Sequence, residues 1–162
     1  MRKLYELFDR VDPAIVQWMA RHGVLLLRVS LGIVFLWFGF LKFFPNASPA
    51  EELAGRTISH MTFGLVGPAV SLPVLAAWEC LIGLGLITGR LLRLTLFLLF
   101  LQMPGTLMPL FFYPGECFTM PPFAPTLEGQ YIIKNLVLIS AGIVVGATVR
   151  GGKLVVEQEC AG

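Results

Sequence analysis

Apolar positions in this chain come in long blocks separated by short polar stretches. Four blocks reach the ~20 mostly apolar residues that a helix needs to cross a bilayer: residues 24–44, 66–88, 91–113 and 131–149. The first, VLLLRVSLGIVFLWFGFLKFF, carries a pattern inside the block. Steps of three and four place Arg28, Gly32, Phe35, Gly39 and Lys42 on one helical face. Small residues let a neighbouring helix approach, and intramembrane charges turn toward partners, so that face is expected to pack inward. The second block holds Glu79 well inside, with Pro73 as a kink position and Gly83 and Gly85 as close-packing positions. The third places Gln102 near mid-membrane, just before Pro104-Gly105. The fourth opens on Lys134 and Asn135 and carries the small-xxx-small pair Gly142 and Gly146.

The stretches between the blocks predict smaller elements. In residues 4–19, Leu4, Leu7, Phe8, Val11, Ile15 and Trp18 fall near one face, which reads as a short helix lying at the membrane surface. Asp12-Pro13 is expected to start a new turn within it. Pro45-Asn46-Ala47-Ser48-Pro49 breaks the chain after the first span. Ser48-Pro49-Ala50-Glu51-Glu52 then supplies a cap, a first-turn proline and acids for a short amphipathic helix up to about Phe63. Residues 114–130, rich in proline, read as an extended loop or cap. The fold class is therefore all-α: an integral membrane four-helix bundle with a short N-terminal interfacial helix and a short amphipathic helix in the first outer loop. Residues 1–23 form the interfacial segment, 24–150 the transmembrane domain and 151–162 a cytoplasmic tail.

Composition agrees. Of 162 residues, 56% are hydrophobic and 14% charged, and mean hydropathy is +0.79; soluble domains are about a quarter charged. The net charge of +2 points to no nucleic-acid surface. Residues 1–23 lack an apolar core followed by a small-residue cleavage site, so the first span is expected to serve as insertion signal. Basic residues cluster at the N-terminus, at Arg90 and Arg93, and at Arg150 and Lys153. The positive-inside rule places both termini in the cytoplasm, with the two longer loops facing outward.

Depth along the helices selects the candidate chemistry. Arg28 lies about one turn in from the cytoplasmic side, Glu79 roughly 13 Å and Gln102 roughly 16 Å from theirs. These three are expected to share a polar pocket, with Glu79 a proton carrier or headgroup ligand, or else half of an Arg28–Glu79 pair that only fixes helix register. Lys42 and Lys134 lie near the outer surface, either snorkelling or forming an anion-attracting entrance. Cys80, Cys117 and Cys160 include no CxxC pair, which argues against a thiol relay. Cys117, Met120, His60 and Met61 fall in the outer loops, where sulfur and imidazole suit copper but no spacing makes a recognised site; Cys117 could alternatively be an exposed oxidisable thiol. Neither His22 nor His60 lies inside a span, which argues against a bis-histidine haem. Trp37, Phe38, Phe40, Phe43, Phe44 and residues 111–113 fit an aromatic belt.

LLRVSLGIVFLWFGFLKF in the first span and AAWECLIGLGLITGR in the second resemble the DoxX-like superfamily. PTLEGQYIIKNLVLISAGIVV is similar to its YkgB/RclC inner-membrane branch. The resemblance implies a four-helix bundle in the bacterial inner membrane. It also links the chain to a quinone-linked oxidoreductase and to reactive-chlorine stress resistance. It carries no catalytic residue over, and with no autonomous catalytic motif the chain is at most a subunit of such an enzyme. The expected function is binding of a small amphiphile (quinone or lipid) or support of a membrane or periplasmic redox partner, with Arg28, Glu79, Gln102, Lys42 and Lys134 as ligand-binding residues. The alternatives are a small proton-coupled permease and a structural assembly subunit. No metal is assigned, and a homo-oligomer is left open.

Overall fold

A computed structural model describes residues 2–44, 47 and 51–152. Most of the 45–49 break, the Ser48 cap, Lys153 and Cys160 lie outside the described residues. The first helix, α1 (Arg2–Leu41), is a single element of 40 residues, and its apolar part spans Val11–Leu41. The expected separate interfacial helix is instead the N-terminal extension of the first span. Pro13 lies inside α1; a proline removes one helical hydrogen bond, and here the helix continues through it. His22, expected outside the spans, falls within this apolar part, where its Nδ1 hydrogen-bonds to Trp18 O at 3.0 Å.

Helix α2 (Glu51–Met61) has Glu51 and Glu52 in its first turn, at the positive end of the helix dipole. It buries Leu53, Gly55 and Thr57. The chain leaves α2 through Phe63 and Gly64, both with positive φ, and enters α3 (Pro68–Thr88) with proline at its first position. Gly89 ends α3 at φ 71°, where a glycine is unstrained, and α4 (Leu92–Leu107) follows at once. Its span is completed by α5 (Pro109–Phe112). The proline-rich segment, expected as an extended loop or cap, is compact: α6 (Pro114–Cys117), an antiparallel hairpin of β1 (Phe118–Met120) and β2 (Ala124–Pro125), then α7. Helix α7 (Leu127–Ile133) is capped by Thr126, whose hydroxyl accepts from Gly129 N, and runs into α8 (Asn135–Thr148) to make the fourth span.

These elements form a multi-pass membrane protein of four spanning helices. Around the bundle α1 packs on α3, α3 on α4, α4 on α8 and α8 on α1. The core between them is built from Leu31, Phe35, Ile82, Leu86, Leu96, Leu99 and Val145. Trp78 ties α3 to α4 by donating from Nε1 to Leu98 O at 3.2 Å. A second cluster of Leu53, Cys117 and Ile132 binds α2, α6 and α7 together at the end opposite the termini, here called the loop end.

Small residues line the most extensive helix–helix contact, between α1 and α3. A β-carbon on Gly83 would lie 2.5 Å from Leu36 N and 2.8 Å from Gly32 O; one on Gly39 would lie 2.8 Å from Glu79 Cβ. The inward face read from the sequence is thus the α1–α3 seam. Because backbone atoms oppose Gly83, relaxation requires the helices to part. Gly83→Ala should destabilise the bundle by about 1–3 kcal/mol, the usual cost of overpacking. Gly23→Ala, with nothing within 4 Å, should be neutral or stabilising by up to about 1 kcal/mol. Thermal unfolding in detergent micelles checks the pair; equal melting of Gly83→Ala and wild type would contradict the seam.

Candidate functional site

Glu79 stands at the middle of α3 and is 7% exposed. A carboxylate at that depth is costly unless charge and hydrogen bonds are both supplied. Lys42 Nζ donates to Glu79 Oε2 at 2.6 Å, and Gln102 Nε2 donates to Glu79 Oε1 at 2.8 Å. Three spans thereby meet at one carboxylate, since Lys42 directly follows α1 and Gln102 belongs to α4.

The expected partner of Glu79 was Arg28, and the structure replaces it with Lys42. The reason is the tilt of helical side chains toward the helix N-terminus. On α1 that tilt carries Lys42 from the loop end back into the membrane and carries Arg28 away from its centre. Gly39 of α1 lies against Glu79, and roughly 16 Å of helical rise separates it from Arg28. The Arg28 guanidinium lies against Gly89, the C-cap of α3, leaving no room there for a β-carbon. Its charge faces the negative end of the α3 dipole.

On the loop side of this triad lies a cavity of about 330 Å³. Its walls are largely apolar, with Phe35, Phe38, Met103, Pro109, Ile132 and Leu138 among them. Glu79, Lys42 and Gln102 line it, as do Tyr131, Lys134 and Asn135. Four of the five sequence-predicted site residues, Glu79, Gln102, Lys42 and Lys134, therefore share one cavity, and Arg28 stands outside it. Lys42 and Lys134 were expected at its mouth; Lys42 instead belongs to its polar floor. Sequence reasoning missed Tyr131, whose ring packs edge-on against Phe38 at 5.5 Å between centroids. It also missed that α2 forms the roof, through Leu53, Ala54, Thr57, Ile58 and Met61. The amphipathic pattern of α2 was visible, but the surface its apolar face covers was not.

The roof is fastened outside the four spans. Arg56 on α2 grips Glu116 on α6 with both terminal guanidinium nitrogens, Nη1 to Oε1 at 3.0 Å and Nη2 to Oε2. The guanidinium also stacks 5.0 Å from the centroid of the Tyr113 ring. The Arg56 hydrogen bonds hold the Glu116 carboxyl below its ordinary value of 4.5. Next to it Cys117 is fully buried, with Sγ 3.5 Å from Pro109 O. The exposed oxidisable thiol is thus corrected: burial first, then Glu116 and Glu128, push the Cys117 thiol up and keep it from the reactive thiolate form. His60 stacks on Phe112 at 4.5 Å, and Met120 is exposed on the hairpin. Among the described residues no group of three or more His, Cys, Asp and Glu side chains gathers into a possible metal site.

Four apolar spans around a roofed cavity with an internally paired charge define a small multi-pass membrane protein with an intramembrane pocket. The DoxX family model matches residues 23–113, more than half of the chain, and the chain belongs to the DoxX family. No curated protein and no solved structure matches it.

Two outcomes follow from this geometry. Lys42→Met leaves the Glu79 carboxylate without its counter-charge and should cost up to about 3 kcal/mol, while Lys42→Met combined with Glu79→Gln should recover most of that loss. Unfolding of the two variants in micelles measures it; a double variant no better than the single would refute the pairing. At the roof, a carboxyl whose folded pKa is depressed stabilises fully above its ordinary pKa, and that contribution disappears as pH falls through the folded value. Amide exchange in α2 should therefore accelerate below about pH 4.5, and Glu116→Gln should exchange at the faster rate already at neutral pH.

Proposed function

We propose that this DoxX-family protein binds a small amphiphile, a quinone or a single lipid chain, inside its bundle. The observation that carries this reading is a cavity of about 330 Å³ that is apolar on its walls and polar at one end. Ligand sites run from about 300 to 1,000 Å³ and combine apolar lining with a few placed polar groups. The polar end is nearly charge-compensated, because Glu79 is matched by Lys42 and hydrogen-bonded by Gln102. Such a floor accepts a neutral polar group without stranding a charge. The Lys42 ammonium has three donors, so it can serve a ligand oxygen as well as Glu79.

The basic residues at the end carrying the termini support an orientation in the bacterial inner membrane with both termini cytoplasmic. The cavity then opens toward the outer side, within reach of a membrane or periplasmic redox partner. The YkgB/RclC-like fourth span supports a role in reactive-chlorine or oxidative stress. Binding is favoured over proton-coupled transport by the core on the other side of Glu79. There Ile82, Leu86, Leu99 and Val145 are fully buried and apolar, whereas a conducting path needs polar groups or water.

Gly105 lines the cavity, and a β-carbon there meets nothing within 4 Å. Gly105→Phe should fill the pocket and leave the bundle folded. Native mass spectrometry of protein released from native membranes should find an amphiphile on the wild type and lose it in Gly105→Phe. Glu79→Gln should weaken its retention several-fold. Undiminished retention in a folded Gly105→Phe variant would defeat the proposal.

A further inference from the structure

Taking the pocket reading above as its basis, we propose that the ligand is a single-chain amphiphile with an anionic head, a carboxylate or a phosphate, held at Lys134. The charged groups lining the cavity are Lys42, Glu79 and Lys134. Both Glu79 oxygens are occupied, one by Lys42 and one by Gln102. Lys42 and Glu79 therefore compensate each other's charge, and Lys134 is left as a surplus positive charge. It makes no ion pair with another of the described residues and lies exposed between α7 and α8.

Its neighbours fit the same chemistry. Tyr131, Lys134 and Asn135 all line the cavity, and their spacing of three and four puts them on one helical face. The face is continuous across the α7–α8 junction, where Lys134 N donates to Gln130 O and Val137 N to Lys134 O, each at 3.0 Å. One ammonium, one phenol and one carboxamide supply donors of the kind that hold a carboxylate or phosphate oxygen. The surplus positive charge beside the apolar walls attracts an anionic head and repels a cationic one. A volume near the lower limit for ligand pockets suits one acyl chain better than two. A lysine that merely snorkels to the surface would show no such selectivity.

The test places the full chain in nanodiscs of uncharged phosphatidylcholine at neutral pH and measures binding of dodecanoate, dodecyl phosphate and dodecanol by native mass spectrometry. Wild type should bind at least one of the two anions about tenfold more tightly than the alcohol, and the stronger anion identifies the head. Lys134→Gln should bring that anion down to the affinity of the alcohol, and Lys134→Arg should keep the preference. Equal binding of all three by wild type, or a preference that survives Lys134→Gln, overturns the anionic head while leaving the pocket standing. Binding of none of the three overturns the pocket and the head together.

Discussion

A carboxylate buried halfway through a membrane bundle must be answered by a charge and by hydrogen bonds, and Glu79 organises the protein by how it is answered. Its β-carbon packs where Gly39 lacks one, so the α1–α3 seam has to close before Lys42 can reach back to it. Gln102 then fixes the rotation of α4. A carboxylate only accepts, so the amide must present its nitrogen, which leaves the Gln102 oxygen buried without a donor. The polar triad thus sets the register of three helices at once. It also divides the bundle, with close-packed apolar side chains toward the termini and open volume toward the loops.

The roof over that volume is built by a different logic. Helix α2 is too short and too polar to span, and its buried face rests on the second span, α3, and on the cap formed by α5, α6 and α7. Gly129 is required there, because a β-carbon would run into the Cys117 carbonyl. Apolar burial of Leu53, Cys117 and Ile132 supplies adhesion. The Arg56–Glu116 clasp supplies position more than energy, as exposed ion pairs do.

Much of this was legible in the chain. The four spans, the small-residue face of α1 and the intramembrane Glu79 and Gln102 follow from block length and helical spacing. Three things were not legible, each for a physical reason. Depth counting places α-carbons, whereas Arg28 and Lys42 carry their charges several ångströms along the helix toward its N-terminus, and that offset decides which one meets Glu79. Proline-rich composition in residues 114–130 says that a regular span stops; it does not say that the segment folds into a short helix and a hairpin. The role of α2 as a roof depends on tertiary placement, which an amphipathic pattern leaves open.

The length of α1 has a mechanical meaning. Forty helical residues rise ~60 Å, about twice the ~30 Å of bilayer hydrocarbon, so the same rod that docks against Glu79 projects well beyond the membrane. An unbroken helix fixes azimuth as well as height, at 3.6 residues per turn. The projecting part is therefore held at a rotational phase set by Gly32, Gly39 and Gly83 deep in the bundle.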